Sequence, residues 1–155
     1  MIYQLKREQL IKTDLDNLWN FISNPANLSK ITPKYMSFEI LTKDVKKEIY
    51  PGMIIVYRVK PVLNIPMKWM TEITHVSPQK FFVDEQRIGP YKIWHHEHIL
   101  EEKNNGILMS DIVTYCPPLS FIGSIINKLF LSKKLNDIFD YREKVMNQIF
   151  NSPKN

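Results

Sequence analysis

Residues 93–101 read IWHHEHILE and carry three of the chain's four histidines, His95, His96 and His98. In an extended strand alternate side chains share a face. Trp94, His96, His98 and Leu100 then point one way, and His95, Glu97, Ile99 and Glu101 the other. The carboxylates mark the second set as outward, which turns His96 and His98 inward. A second strand-like run, ILMSDIVTYC at 107–116, follows Asn104-Asn105-Gly106, a hairpin signal. With Asn105-Gly106 as a two-residue turn, His98 lies opposite Val113, His96 opposite Tyr115, and Asp111 opposite Leu100. Met109, Asp111, Val113 and Tyr115 then share the histidine face, with Asp111 diagonal to His98 and within its reach.

Imidazoles near neutral pH bind metals, move protons or orient ligands. Two histidines at i and i+2, aided by Asp111, fall short of a zinc set, because there is no HExxH, no cysteine pair and no fourth ligand. No metal or other cofactor is expected. Two readings stay open: a polar patch satisfied by hydrogen bonds inside the fold, or a ligand-orienting or acid–base group made of His96, His98, Asp111 and Tyr115. Arg142 sits near the middle of an apolar helical stripe and must reach solvent or meet a buried carboxylate, with Asp111, Asp84 and Glu85 as candidates. The run FFVDEQRIGP precedes the histidine strand and should pair with it. A two-residue Gly89-Pro90 turn puts Val83 and Glu85 on the histidine face; one residue more puts Asp84 and Gln86 there instead. Trp69, Thr71 and Ile73 form another inward series, for which core packing is the simpler reading. No Gly-x-Ser-x-Gly, phosphate loop or carboxylate-pair motif supplies a nucleophile or an established acid–base pair.

The elements that must hold these residues are legible from periodicity. Residues 2–12 read as a first strand, and TDLDNLWNFISNP as a helix capped by Thr13 with Asp16 three residues on. PANLSKITP fits a second short helix closed by Pro33. Six further strands are expected: MSFEIL, MIIVYRVK, MKWMTEITHV, KFFVDEQRI, YKIWHHEHILEE and ILMSDIVTYC. From Leu135 onward Ile138, Phe139, Val145, Met146 and Ile149 make one helical stripe, while Ile122, Ile125, Ile126 and Leu129 make another on the opposite side. One straight helix cannot bury both, so a bend or break is expected near Leu131-Ser132-Lys133, and residues 151–155 are expected to fray. The fold class is α+β: a seven-stranded curved antiparallel sheet around a long C-terminal helix, with two short helices after the first strand. Residues 1–155 form a single domain, with a cavity between sheet and helix.

Composition narrows the partners. Hydrophobic residues make up 44% and charged residues 24%, within the ordinary globular range. The net charge of +5 comes mainly from lysines interspersed with acids, with four arginines, so nucleic acid is not an expected partner. One cysteine, Cys116, excludes an internal disulfide. No signal peptide or run of about 18 apolar residues is evident, so stable membrane insertion is not expected and a cytoplasmic location is the default. The apolar 117–131 segment leaves open a protein or membrane-surface contact.

The succession FFVDEQRIGPYKIWHHEHILEE, NNGILMSDIVTYCPPL and KLNDIFDYREKVMNQIF resembles the SRPBCC superfamily of START-related helix-grip proteins. The likeness is nearest to a bacterial ligand-binding, polyketide-cyclase-like branch and covers nearly the whole chain. Its Asp-x-Gln, Gly-Pro, Trp-x-His-x-His and Asp-x-x-x-Tyr features fall here on Asp84 and Gln86, Gly89 and Pro90, Trp94, His96 and His98, and Asp111 and Tyr115. The resemblance implies a deep apolar cavity for a lipid, polyketide or aromatic-like molecule, and a minority of members are cyclases, hydratases or hydrolases. It brings no agreed catalytic residue. The expected ligand-binding residues are Trp69, Thr71, Asp84, Gln86, Trp94, His96, His98, Asp111, Val113, Tyr115, Phe139 and Arg142. Binding without turnover is the expected function, with acid–base catalysis by His96, His98 and Asp111 as the alternative.

Overall fold

The computed structural model describes residues 1–60, 65–117 and 131–152. Strand β1 (Tyr3–Ile11) leads into helix α1 (Leu15–Ile22) and two 3-10 turns, Pro25–Ser29 and Lys34–Met36. Strands β2 (Glu39–Ile40), β3 (Met53–Val59), β4 (Met67–Ser77), β5 (Phe81–Ile88), β6 (Ile93–Lys103) and β7 (Gly106–Cys116) follow, then helix α2 (Ser132–Met146). A π-helical turn carries α2 on to Asn151. The strands form one antiparallel sheet in the order β1-β7-β6-β5-β4-β3-β2.

Alternation explains the strands. In β3, Met53, Ile55, Tyr57 and Val59 are buried while Ile54 and Arg58 are exposed, a period of two that buries one face. β4 does the same with Trp69, Thr71 and Ile73. Bulges in the β4–β5 ladder, at Met70/Thr71 and Ile73/His75, add twist beside Asp84 and help the sheet curl around α2. Leu135, Phe139 and Met146 of α2 are buried against that concave face. Arg7 of β1 fastens the helix by donating to Asn136 Oδ1 at 2.7 Å and Asp140 Oδ1 at 2.8 Å.

Several expectations need correction. Asp14 caps α1 in place of Thr13, accepting the Asn17 backbone N–H at 2.7 Å. Thr13 is still turning out of β1, its own N–H bonded to Ile11 O at 3.0 Å, so the helix starts one residue later. The run MSFEIL yields a strand of only Glu39–Ile40, because Met36 closes a 3-10 turn and Ser37 adopts a left-handed φ of 46°. Asn151 is not frayed: its amide donates to Leu10 O at 3.0 Å and its Oδ1 accepts from Lys12 N at 2.7 Å. α2 opens at Ser132-Lys133, and the residues on the other side of the expected bend or break lie outside the described ones. The stripe Ile122, Ile125, Ile126 and Leu129 lies outside the described residues, as does the expected contact segment apart from Pro117 and Leu131. No helix among the described residues is long and apolar enough to cross a membrane.

The β6–β7 register also differs from the expected one. His98 pairs with Asp111, His96 with Val113 and Leu100 with Met109, because the turn is Asn104-Asn105 and Gly106 already pairs with Lys103. Gly106 has φ +140°, and a Cβ there would stand 2.3 Å from the Ile11 carbonyl oxygen of β1. Glycine is therefore needed as the first residue of β7, between two strands, rather than in the turn. The offset is two residues, so every inward residue stays inward.

Candidate functional site

A cavity of about 180 Å³ lies between the concave sheet face and α2. Most of its wall is apolar. Phe21, Leu28 and Ile31 come from α1 and the segment after it, Ile55, Trp69, Ile73 and Phe82 from the sheet, and Leu135, Ile138, Phe139 and Met146 from α2. A polar wall stands against these: Asp84 on β5, His96 and His98 on β6, and Arg142 on α2 all line the cavity.

The β5–β6 register pairs Asp84 with His96 and Phe82 with His98, so Asp84 shares the histidine face and Glu85 does not. Of the two alternatives left by the sequence, the longer turn is the one present. His98 Nε2 lies 3.0 Å from Asp84 Oδ2, and His96 Nδ1 lies 3.4 Å from the same oxygen. Behind them Asp111 Oδ1 takes His96 Nε2 at 3.0 Å and comes within 2.8 Å of His98 Nδ1. Arg142 Nη1 donates to that oxygen at 3.2 Å. Of the three carboxylates that could have met Arg142, it meets Asp111. Its guanidinium also lies 4.9 Å from the centre of the Phe139 ring.

The cluster is buried, with His96 4% and Asp111 3% exposed, so unpaired charge here is costly. Burial opposes the Asp111 carboxylate, but Arg142 and the two histidines outweigh it and hold its pKa well below the usual range. Burial likewise opposes the Asp84 carboxylate, which His98, His96 and Arg142 nonetheless hold low. The histidines diverge. Burial, with the neighbouring His98, pushes His96 down, whereas His98 gains enough from Asp111 and Asp84 to rise despite its own burial. The pair is thus set for one imidazole to be charged more readily than the other.

Ring contacts fix the geometry. His96 and His98 have centroids 3.8 Å apart, and Phe82 stacks on His98 at 4.0 Å. Trp94 and Phe139 meet His96 edge-on. On the outer face His95 pairs with Glu85 at 2.9 Å, and Glu85 in turn with Arg87 at 3.0 Å, outside the cavity.

Of the residues expected to bind a ligand, Trp69, Thr71, Asp84, Trp94, His96, His98, Phe139 and Arg142 line the cavity. Asp111, Val113 and Tyr115 stand behind that lining. Asp111 braces the histidines, while Val113 and Tyr115 pack with Leu135 and Phe139. Gln86 is turned to another task, donating to Tyr91 O at 2.6 Å and accepting from Tyr91 N at 3.2 Å, which holds the turn between β5 and β6. Two lining tyrosines were not singled out from sequence. Tyr57 bonds Thr71 at 2.8 Å and continues the inward alternation of β3, a signal that was available. Tyr91 lies in a turn, where period-two reasoning does not reach.

No family model matches the chain, and no curated protein does. Solved structures do. A ginseng major latex-like protein from Panax ginseng matches with TM-score 0.70 at 12% identity, covering 98% of this chain and 99% of that one. A protein from Thermus thermophilus matches with TM-score 0.67 at 13% identity, covering 94% and 95%. A di-domain ARO/CYC protein of the steffimycin biosynthetic pathway matches with TM-score 0.67 at 7% identity, covering 96% of this chain and 52% of that one. At such identities the likeness speaks to architecture: the chain has a helix-grip fold, a curved antiparallel sheet around a long C-terminal helix.

Proposed function

We propose that the chain binds a compact, mainly apolar small molecule between the sheet and α2, its polar end turned to Asp84, His96, His98 and Arg142. The observation that carries this reading is the asymmetric cavity wall, apolar on most sides and charged on one. An apolar cavity of about 150 Å³ takes up benzene. A volume of about 180 Å³ therefore suits a small aromatic, a compact polyketide-derived ring or a short acyl chain better than a sterol. Trp69 Nε1 and Arg142 Nε, on two lining residues, have no hydrogen-bond partner among the described residues, and a ligand's acceptor would supply one.

The test is titration with 2-naphthol, followed through the fluorescence of the lining tryptophans, with native mass spectrometry of the protein as purified. Saturable uptake at one molecule per chain is expected, and Ile138→Trp, which fills the cavity, should abolish it with the circular dichroism unchanged. Uptake that never saturates, or that Ile138→Trp leaves intact, refutes the reading.

A second reading, acid–base catalysis on such a molecule, is favoured by the opposed protonation tendencies of His96 and His98 at the cavity wall. General acid–base catalysis is worth about 100- to 10,000-fold in rate. Once a turned-over compound is in hand, the His96→Gln/His98→Gln double variant should lose that factor. Unchanged turnover ends the catalytic reading and leaves carriage.

A further inference from the structure

We propose that Asp84, His96 and His98 form a site for one divalent transition-metal ion of the zinc type, with an open position facing the cavity. The open face rests on the cavity reading above; the ion itself does not. One donor atom from each of the three residues lies within 4.8 Å of the others, and all three residues line the cavity. Asp84 Oδ2 is 3.0 Å from His98 Nε2 and 3.4 Å from His96 Nδ1. Metal–nitrogen and metal–oxygen bonds of about 2.0–2.2 Å at tetrahedral angles separate their donors by about 3.3–3.5 Å. The two Asp84 distances are close to that range, and an ion would draw the two imidazole nitrogens, within 4.8 Å of each other, toward it.

The support behind the three residues is what such a site requires. Histidine ligands commonly direct their second nitrogen at a carboxylate, which fixes the tautomer and the ring plane. Here both second nitrogens meet one oxygen, Asp111 Oδ1, at 3.0 and 2.8 Å, and Arg142 anchors that carboxylate by donating to the same oxygen. With protons on the Asp111 side, the remaining lone pair of each imidazole converges on Asp84 Oδ2. Three acceptors facing one point call for a cation between them. A single proton on His98 satisfies one contact and leaves the lone pair of His96 Nδ1 against Asp84 Oδ2 at 3.4 Å. A divalent ion satisfies all three.

Charge then names the ligand class. With neutral imidazoles, two carboxylates and one guanidinium leave one net negative charge, which a divalent ion turns to one positive. A carboxylate, phenolate or enolate head on the apolar ligand restores neutrality while taking the open position.

The full chain, stripped with chelator, is titrated with Zn²⁺ by calorimetry and with Co²⁺ by visible absorption. Saturation at one ion per chain is expected, with intense low-symmetry Co²⁺ bands. Asp84→Asn and His98→Gln should each weaken Zn²⁺ by at least 10-fold, and Asp111→Asn by about 10- to 100-fold. His75→Ala/His95→Ala should change nothing. No saturable uptake by folded protein, or uptake indifferent to Asp84→Asn but lost in the His75/His95 variant, overturns the site. Should His98→Gln not fold, Asp84→Asn and the Co²⁺ spectrum of the unaltered protein still decide it. Binding of 2-naphthol on the same samples separates the two readings: lost probe binding with retained stoichiometric metal fails the cavity reading alone, and the converse fails the metal site alone.

Discussion

Asp111→Asn is the most informative single change to stability, because it removes a charge while nearly preserving shape. Asp111 is 3% exposed, and its Oδ1 meets His96, His98 and Arg142 at 3.0, 2.8 and 3.2 Å. An asparagine there leaves the Arg142 guanidinium, itself only 13% exposed, without its counter-charge. Removing one partner of a buried ion pair costs about 3–5 kcal/mol. The lower end, about 3 kcal/mol, is expected here because Asp84 also lies near enough to Arg142 to feel its charge. For a domain of this length that corresponds to a Tm loss of about 6–12 °C. Arg142→Met should cost a similar amount by stranding the carboxylate. The double variant should fall short of the sum by about 2 kcal/mol, since each change removes what the other leaves unpaired. Guanidinium unfolding followed by tryptophan fluorescence, in the presence of chelator so that no metal contributes, measures all four proteins. If the two changes add within about 0.5 kcal/mol, or Asp111→Asn costs less than about 1 kcal/mol, Asp111 is not the carboxylate that balances Arg142.

Three further outcomes can be checked by the same unfolding measurement. Gly106→Ala should lose at least about 2 kcal/mol, because its φ is +140° and an added Cβ would stand 2.3 Å from the Ile11 carbonyl oxygen. Asp14→Ala should cost about 1 kcal/mol through the lost cap on Asn17 N, whereas Thr13→Ala should stay within about 0.5 kcal/mol; the opposite order would restore Thr13 as the cap. Asn151→Ala should cost about 1–2 kcal/mol and speed amide exchange at Lys12, whose N–H it holds; unchanged exchange would show that the end of α2 does not secure β1.

Parity was easier to read than position. Trp94, His96, His98, Asp111, Val113 and Tyr115 share one face whichever of two hairpin turns is formed, since the registers differ by an even step. The identity of opposed residues did depend on the turn, and that was decided by Gly106 at the hairpin's end, pressed against Ile11 of the neighbouring strand β1. Such a close approach is not encoded in any local pattern. Asp84 illustrates the harder case. One residue more or less in the turn at Gly89-Pro90 moves it between faces, and the histidine set looked short of ligands while that stayed open. Gln86, which holds that turn through Tyr91, was read as a ligand contact from the Asp-x-Gln resemblance, while its face was open and its partner unknown. The helical stripe of Leu135, Phe139 and Met146 needed no such information, because its burial follows from spacing alone.

The pairing of Asp111 with Arg142 spans 31 residues, so it sets a schedule for a nascent chain. At about 5–20 residues per second, translation separates the two by roughly 2–6 seconds. During that interval β5, β6 and β7 can zip together, bringing Asp84, Asp111 and both histidines to one face with no guanidinium to balance them. The meander must wait with this face hydrated, or hold protons it later gives up. β1, made first, waits longer still, for its strand neighbour is β7 and its helix contacts lie on α2. Arrival of α2 therefore dries the polar wall, balances its charge and secures the first strand in one late step.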